Sequence, residues 1–222
     1  MSVHLQREIT NLKKSILSLG AIVEERAWQA VKAVTDRNPD QAKSIIEADL
    51  EIDRIEVEIE EDCLKILALH QPVAIDLRFI VAVLKINNDL ERIGDLASNI
   101  AELAIRMSNL NRIEMPPEFP AITEKTQTML KNSLDALVNL DDDLAQEVRI
   151  DDDEVDHLNR TIYDYVKDNI KKDPSSLDAM IYLRAVSKNL ERIADLATNI
   201  AEDVIYTCRG EIVRHKTFDE EQ

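Results

Sequence analysis

The chain is predicted to be all-α, built as two tandem, pseudo-symmetric three-helix bundles. Three observations predict this. The first is a repeat. Asn88-Asp89-Leu90-Glu91-Arg92-Ile93-Gly94-Asp95-Leu96-Ala97-Ser98-Asn99-Ile100-Ala101-Glu102 returns as Lys188-Asn189-Leu190-Glu191-Arg192-Ile193-Ala194-Asp195-Leu196-Ala197-Thr198-Asn199-Ile200-Ala201-Glu202, at an offset of 100 residues. That period is far longer than a solenoid unit, so it marks a duplicated helical domain. The second is composition. Only 3 of 222 residues are glycine and 4% are aromatic, while Ala, Leu, Ile, Glu and Lys abound; strong helix formers without strand formers favour helices. The third is periodicity: Ile86, Leu90, Ile93, Ala97, Ile100 and Ala104 recur at helical spacing and form one apolar stripe.

Proline delimits the elements, because a proline inside a helix costs about 3 kcal/mol. The first helix is expected over 4–36, ending before Asn38-Pro39. Trp28 is expected to plug it into the core, and Gly20 to mark a kink. The second runs over 40–69 and stops before Gln71-Pro72. The third runs over 74–109, up to a connection carrying Pro116, Pro117 and Pro120. That connection is the expected boundary between a first repeat, 1–110, and a second, 117–216. The fourth helix covers 118–139. A break follows at 139–143, where the Asp141-Asp142-Asp143 cluster can cap the fifth, 142–171. The sixth, 175–209, follows Pro174 and ends at Gly210 as its C-cap. The second and fifth helices match more weakly: Asp49, Glu51, Ile52 and Asp53 correspond to Asp152, Glu154, Val155 and Asp156 at an offset of 103. Three residues are therefore lost in the connection to the next helix.

The formal net charge is −17. Such a chain repels nucleic acid and anionic lipid, and it has no Gly-rich loop to cradle a phosphate. It does attract divalent cations, most of all at the Asp141–Asp143 and Asp151–Glu154 blocks. Cys63 and Cys208 form no CxxC and read as buried free thiols. No signal peptide is expected, and the longest apolar run, Phe79 to Leu84, is too short to span a bilayer. The protein is expected to be soluble and cytoplasmic, with no insertion into a membrane.

At about 100° per residue, Asn88, Glu91, Asp95, Asn99 and Glu102 fall within an arc of about 80°, nearly opposite the apolar stripe. Glu191, Asp195, Asn199 and Glu202 repeat that row. The second helix carries Asp49, Asp53, Glu56 and Glu60 on one face, and the fifth carries Asp152, Asp156, Asn159 and Tyr163. A polar stripe opposite a core stripe is what any surface helix shows. Carboxylates at i, i+4 repel each other, however, where an ordinary solvated face alternates sign. Oxygen donors without Cys or clustered His suit Mg, Mn, Ca or Fe, with Zn possible. Arg92 and Arg192 are expected to pair with neighbouring acids. A ferritin-like di-iron site needs two Glu-x-x-His motifs facing the core; only Glu154 to His157 occurs. No Gly-x-Ser-x-Gly or other nucleophile arrangement is present.

Gln71-Pro72-Val73-Ala74-Ile75-Asp76-Leu77-Arg78, then Asp89-Leu90-Glu91-Arg92-Ile93-Gly94-Asp95 and Asn99-Ile100-Ala101, resemble the PhoU family. So do Leu190 to Asp195, Asn199 to Glu202, and the ending Val204-Ile205-Tyr206 to Gly210-Glu211 with Arg214-His215. The resemblance implies two similar three-helix bundles carrying multinuclear metal clusters, of iron, zinc or other divalent ions, on acidic (Glu/Asp)-x-x-x-Asp rows. The matching positions are Asp49, Asp53, Glu91 and Asp95 in the first half, and Asp152, Asp156, Glu191 and Asp195 in the second, with Asn99 and Asn199 as auxiliary ligands. Departures lie in the second half: Ala194 where the family usually has Gly, Leu196 where a His is common, and Lys188 in place of Asn88. The resemblance further implies a non-enzymatic regulator of phosphate uptake. It would work with the phosphate ABC transporter and the sensor histidine kinase, and keep the starvation response off when phosphate is plentiful. A homodimer is expected. Two other readings stay open: an accessory protein of another phosphate transporter, and a metal-binding scaffold with no phosphate role.

Overall fold

The computed structural model describes residues 3–211 and 213. Arg214 and His215, part of the family-like ending, lie outside the described residues. Among the described residues every regular element is helical: α1 (Val3–Asp36), α2 (Pro39–Glu47), α3 (Asp49–His70), α4 (Ala74–Ser108), α5 (Phe119–Asn139), α6 (Asp142–Lys172), a short 3-10 turn (Pro174–Ser176) and α7 (Leu177–Arg209). The all-α, two-repeat architecture expected from the sequence is present.

Helix ends follow local chemistry. The Asn38 side chain accepts from the Gln41 N–H, and Pro39 opens α2. Asp141 caps α6 through the Leu144 N–H. Gly210 ends α7 at φ 75°, a left-handed conformation that glycine adopts without strain. At the start of the sixth predicted helix, Asp173 accepts from the Ser175 N–H and holds a 3-10 turn, so α7 begins two residues late.

Two expectations need correction. The predicted second helix is broken at Ala48 into α2 and α3. Ala48 is a strong helix former, and neither Gly nor Pro marks the bend, so no local signal announced it. The apolar positions Ile45, Ile52, Ile59 and Ile66 are all buried on both sides of the break. The buried stripe thus continues in register across the break. The break puts Asp49 and Glu51 into the first turn of α3, where the helix dipole favours negative charge. Its counterpart α6 is unbroken. The second correction is Gly20. α1 continues through it without a kink, and a Cβ there would lie 2.9 Å from Leu134 Cδ2 on α5. Gly20 thus allows the two repeats to approach closely. Trp28 is half-buried and packs against the core, anchoring α1 as expected.

α4 and α7 lie at the centre, each packed against its own bundle and against the other. The buried apolar residues form one continuous cluster through both bundles. Across the seam Lys85 pairs at 3.0 Å with Asp203, which is only 2% exposed, and Arg78 donates to the Thr207 carbonyl. Cys63 is buried and its thiol is pushed up to about 12, chiefly by burial. Cys208 is half-buried and donates to the Leu140 carbonyl; both are free thiols.

The repeats differ by matched exchanges. A Cβ on Gly94 would meet Ile52 Cδ1 at 3.0 Å and Cγ2 at 3.3 Å. In the second repeat the equivalent pair is Ala194 and Val155, a larger residue facing a smaller one. Gly94→Ala alone is expected to destabilise through overpacking, by about 1–2 kcal/mol after its gain in helix propensity. Adding Ile52→Val should restore much of that loss. Thermal unfolding of both single variants and the double variant measures the coupling. Strict additivity would show that the two sites are independent.

Candidate metal centres

The acidic rows of α3 and α4 face one another across a seam rather than standing free in solvent. Asp53 and Asp95 are exposed, while Asp49 and Glu91 are half-buried. The Asp49 carboxylate leans onto α4: its Oδ1 would lie 3.7 Å from a Cβ on Gly94. Burial pushes the Asp49 carboxyl above its ordinary value; Asp95 and Asp53 add to this, and the Ser98 hydroxyl opposes it. Glu91 is raised by burial first, then by Asp95, Asp53 and Glu56, against Arg92. Glu56 is raised by burial, Glu60 and Asp53. The structure therefore brings Asp49, Asp53, Glu91 and Asp95 within reach of one another's charge.

The second repeat builds the same seam between α6 and α7. Burial, Asp195 and Asp156 push the Asp152 carboxyl up to about 6, with Thr198 opposing. Asp195 is raised by burial and Glu191, opposed by Lys188. Lys188 forms an ion pair with Glu191, whose side chain is only 13% exposed. The first seam contains no equivalent of Lys188, since Asn88 stands there.

The donor set fits a divalent cation. Carboxylates gathered close enough to hinder one another's ionisation are stabilised by a hard cation among them. Among the described residues, no three His, Cys, Asp or Glu side chains already converge on one metal-sized point. Coordination would therefore need side-chain rotation in both seams.

Several expected row members are engaged elsewhere. Asn159 is buried and accepts from Arg184 and Ser187. At the equivalent place in the first repeat, Asn87 donates to the Glu56 carbonyl and carboxylate. The amide has changed helices, and Glu56 joins the first seam while Asn159 leaves the second. Glu202 lies against buried Arg149. The Asp151–Glu154 block is split: Asp151 and Glu154 each pair with Lys125 of α5 at 2.7 Å, and Asp152 faces α7. Asp142 pairs with Arg209. In these blocks Asp142, Asp151 and Glu154 are thus held in ion pairs within the fold, while Asp152 belongs to the second seam.

One arrangement was not legible in the sequence. Arg92, Asp95, Leu96 and Asn99 line a single groove of about 440 Å³ together with Arg192, Asp195 and Leu196. The repeated motifs therefore meet, as a pseudo-two-fold relation between the repeats requires. Asn99 belongs to this groove, whereas Asn199 is half-buried on α7. Arg92 reaches Asp89 only at 3.9 Å, so its expected pairing is loose.

Fold and site together define a two-repeat, all-helical protein with an acidic seam in each repeat. The PhoU domain matches residues 16–104 and 120–204, one copy per repeat. The chain belongs to the PhoU family. It is 36% identical over 218 residues to the phosphate-specific transport system accessory protein PhoU homolog of Pseudomonas aeruginosa, covering 97% of this chain and 89% of that one. It is 36% identical over 221 residues to the homolog of Aquifex aeolicus, covering 97% and 98%. The crystal structure of PhoU from Pseudomonas aeruginosa superposes with a TM-score of 0.87 at 35% identity, over 93% of this chain and 99% of that one.

Proposed function

We propose that this protein is a cytoplasmic, non-enzymatic regulator of phosphate uptake and of the phosphate-starvation response. It works by association with the cytoplasmic subunit of a phosphate ABC transporter and with a sensor histidine kinase. The observation that supports this reading is the match over 97% of the chain to relatives named phosphate-specific transport system accessory proteins. Among the described residues no helix is long and apolar enough to cross a membrane, which accords with docking onto a membrane complex from outside the bilayer. The protein also associates with itself as a homodimer.

The acidic seams are its metal sites. Asp49, Asp53, Glu91 and Asp95 would hold divalent ions in the first repeat, and Asp152, Asp156, Glu191 and Asp195 in the second. Asn99 and Asn199 are auxiliary ligands. Iron, zinc, magnesium or manganese suits this oxygen donor set. Bound metal supplies positive charge among carboxylates that otherwise repel. The side chains order the seam and present a less negative face, which lowers the barrier to approach by another acidic surface.

The test is a deletion strain carrying a starvation-gene reporter, with association to the transporter subunit and the kinase measured with and without chelator at fixed ionic strength. Deletion is expected to leave the response on in phosphate-rich medium, and chelation to weaken association. A deletion strain that still represses normally, with no binding to either partner, would overturn the phosphate reading. Equal affinity with and without chelator would remove metal from it.

A further inference from the structure

In a chain of 44 acidic and 27 basic residues, one apolar cleft is lined by three cations and no carboxylate. It lies between α6 and α7, with a volume of about 420 Å³. Its apolar walls are Tyr163, Val166, Ile170 and Ile181; Lys167, Lys171 and Arg184 form its rim. Tyr163 and Ile181 are about half exposed, at 50% and 49%. The Arg184 guanidinium stands 5.6 Å from the Tyr163 ring. Asp168 pairs with Lys171 at the outer edge and tempers the charge there. Exposed Tyr and Arg over an apolar floor form the kind of surface that anchors a protein partner.

The first repeat presents the complementary shape. On α3, Leu50, Val57 and Leu64 are spaced seven residues apart and are 76%, 50% and 54% exposed. At about 100° per residue they make one ridge, bordered by Asp53 and Glu60 on one side and on the other by Glu61 and by Arg54, whose charge is answered by Glu58. The positions of Lys167, Lys171 and Arg184 are held in the first repeat by Leu64, Ala68 and Leu84. Ridge and groove share one equivalent position, Leu64 and Lys167; the other ridge positions, Leu50 and Val57, are held in the second repeat by Asp153 and Arg160, so the two surfaces are different and complementary in charge. Seven residues of helix rise about 10 Å, so Val57 and Leu64 match the spacing of Tyr163 and Ile170.

We infer that the occupant of the α6–α7 groove is the α3 ridge of a second copy of this chain. Each copy carries one ridge and one groove, so a two-fold pair makes the contact twice. This rests on the self-association proposed above and names the surface that performs it.

The test is sedimentation equilibrium of the full chain at low ionic strength with a divalent metal, manganese, held at one fixed concentration throughout. The wild type is expected to be a dimer. Lys167→Glu with Lys171→Glu should weaken it at least about tenfold, because like charges then face each other in both contacts. Glu60→Lys with Glu61→Lys should do the same. An equal mixture of the two variants should recover a heterodimer, since every contact again joins opposite signs. Val57→Ser, which leaves all charges in place, should also weaken the dimer and decides the matter if a charge variant loses helicity. A monomeric wild type would overturn both the dimer and this contact. A wild-type dimer indifferent to these variants, or a mixture that fails to recover association, would overturn the contact alone.

Discussion

Replacing Asp49 and Asp53 with Asn, Glu91 with Gln and Asp95 with Asn is expected to abolish metal binding in the first repeat without changing helix content. These four side chains gather on two facing helices, where burial together with the charges of Asp53 and Asp95 raises the cost of ionising Asp49 and Glu91. Amides keep the shape and the oxygen donors but remove the charge that holds a hard cation. None of the four contributes to the buried apolar cluster, so the bundle has no reason to unfold. In the metal-free state the variant should melt at a higher temperature than the wild type, because mutual repulsion has been removed. Elemental analysis and circular dichroism of the purified proteins decide this. Full retention of metal would overturn the assignment. The corresponding change at Asp152, Asp156, Glu191 and Asp195 should cost less metal, since Lys188 already answers Glu191.

Stability of the metal-free protein should fall as pH rises from about 4 to 6, and Asp152 should be the principal cause. Its carboxyl titrates near 6 in the folded chain, above the ordinary 3.8. Between those values the folded state holds a proton that the unfolded state has released. Stability from this group is therefore greatest below that window and is lost as pH climbs through it. Asp152→Asn removes the effect. Partial exposure screens the interaction, so the gain at pH 7 is about 1 kcal/mol. That corresponds to about 3 °C in melting temperature for a chain of this length. The difference between variant and wild type should vanish near pH 3.5. Melting curves from pH 3.5 to 7 with chelator present provide the test; an equal difference at every pH would remove Asp152 as the source. Metal reverses the preference, because a cation favours the ionised carboxylate. Affinity at the α6–α7 seam should accordingly rise over the same window.

The rows bearing these carboxylates were legible because helical periodicity reports the face of a helix. Leu90, Ile93, Ala97 and Ile100 are buried as the stripe requires, and Asp53 and Asp95 are exposed. Asp49, Glu91 and Asp152 are less exposed than a freely solvated row would be, because a second acidic helix faces each of them. Periodicity gives the direction of a side chain from its own helix axis. It does not say which neighbour stands in that direction. Asn159 and Glu202 were misjudged for that reason: each sits at the right angle, but Ser187 with Arg184, and Arg149, already occupy them. Ala48 was missed because neither a side-chain cap nor a Gly or Pro breaker marks the break in the residues themselves.

By itself the sequence determined the duplication, the all-helical class, the proline and aspartate punctuation, and the acidic residues shared by the two repeats. These are local properties, set by spacing along one chain and by the chemistry of single side chains. Only the tertiary structure decided which carboxylates become partners and which are spent on Lys125 or Arg209. It alone joined Arg92 and Arg192 in one groove, and separated an acidic ridge on α3 from a basic groove on α6 and α7. Charge and apolar contact act through space over a few ångströms, and residues 100 apart in sequence become neighbours only when α4 packs on α7.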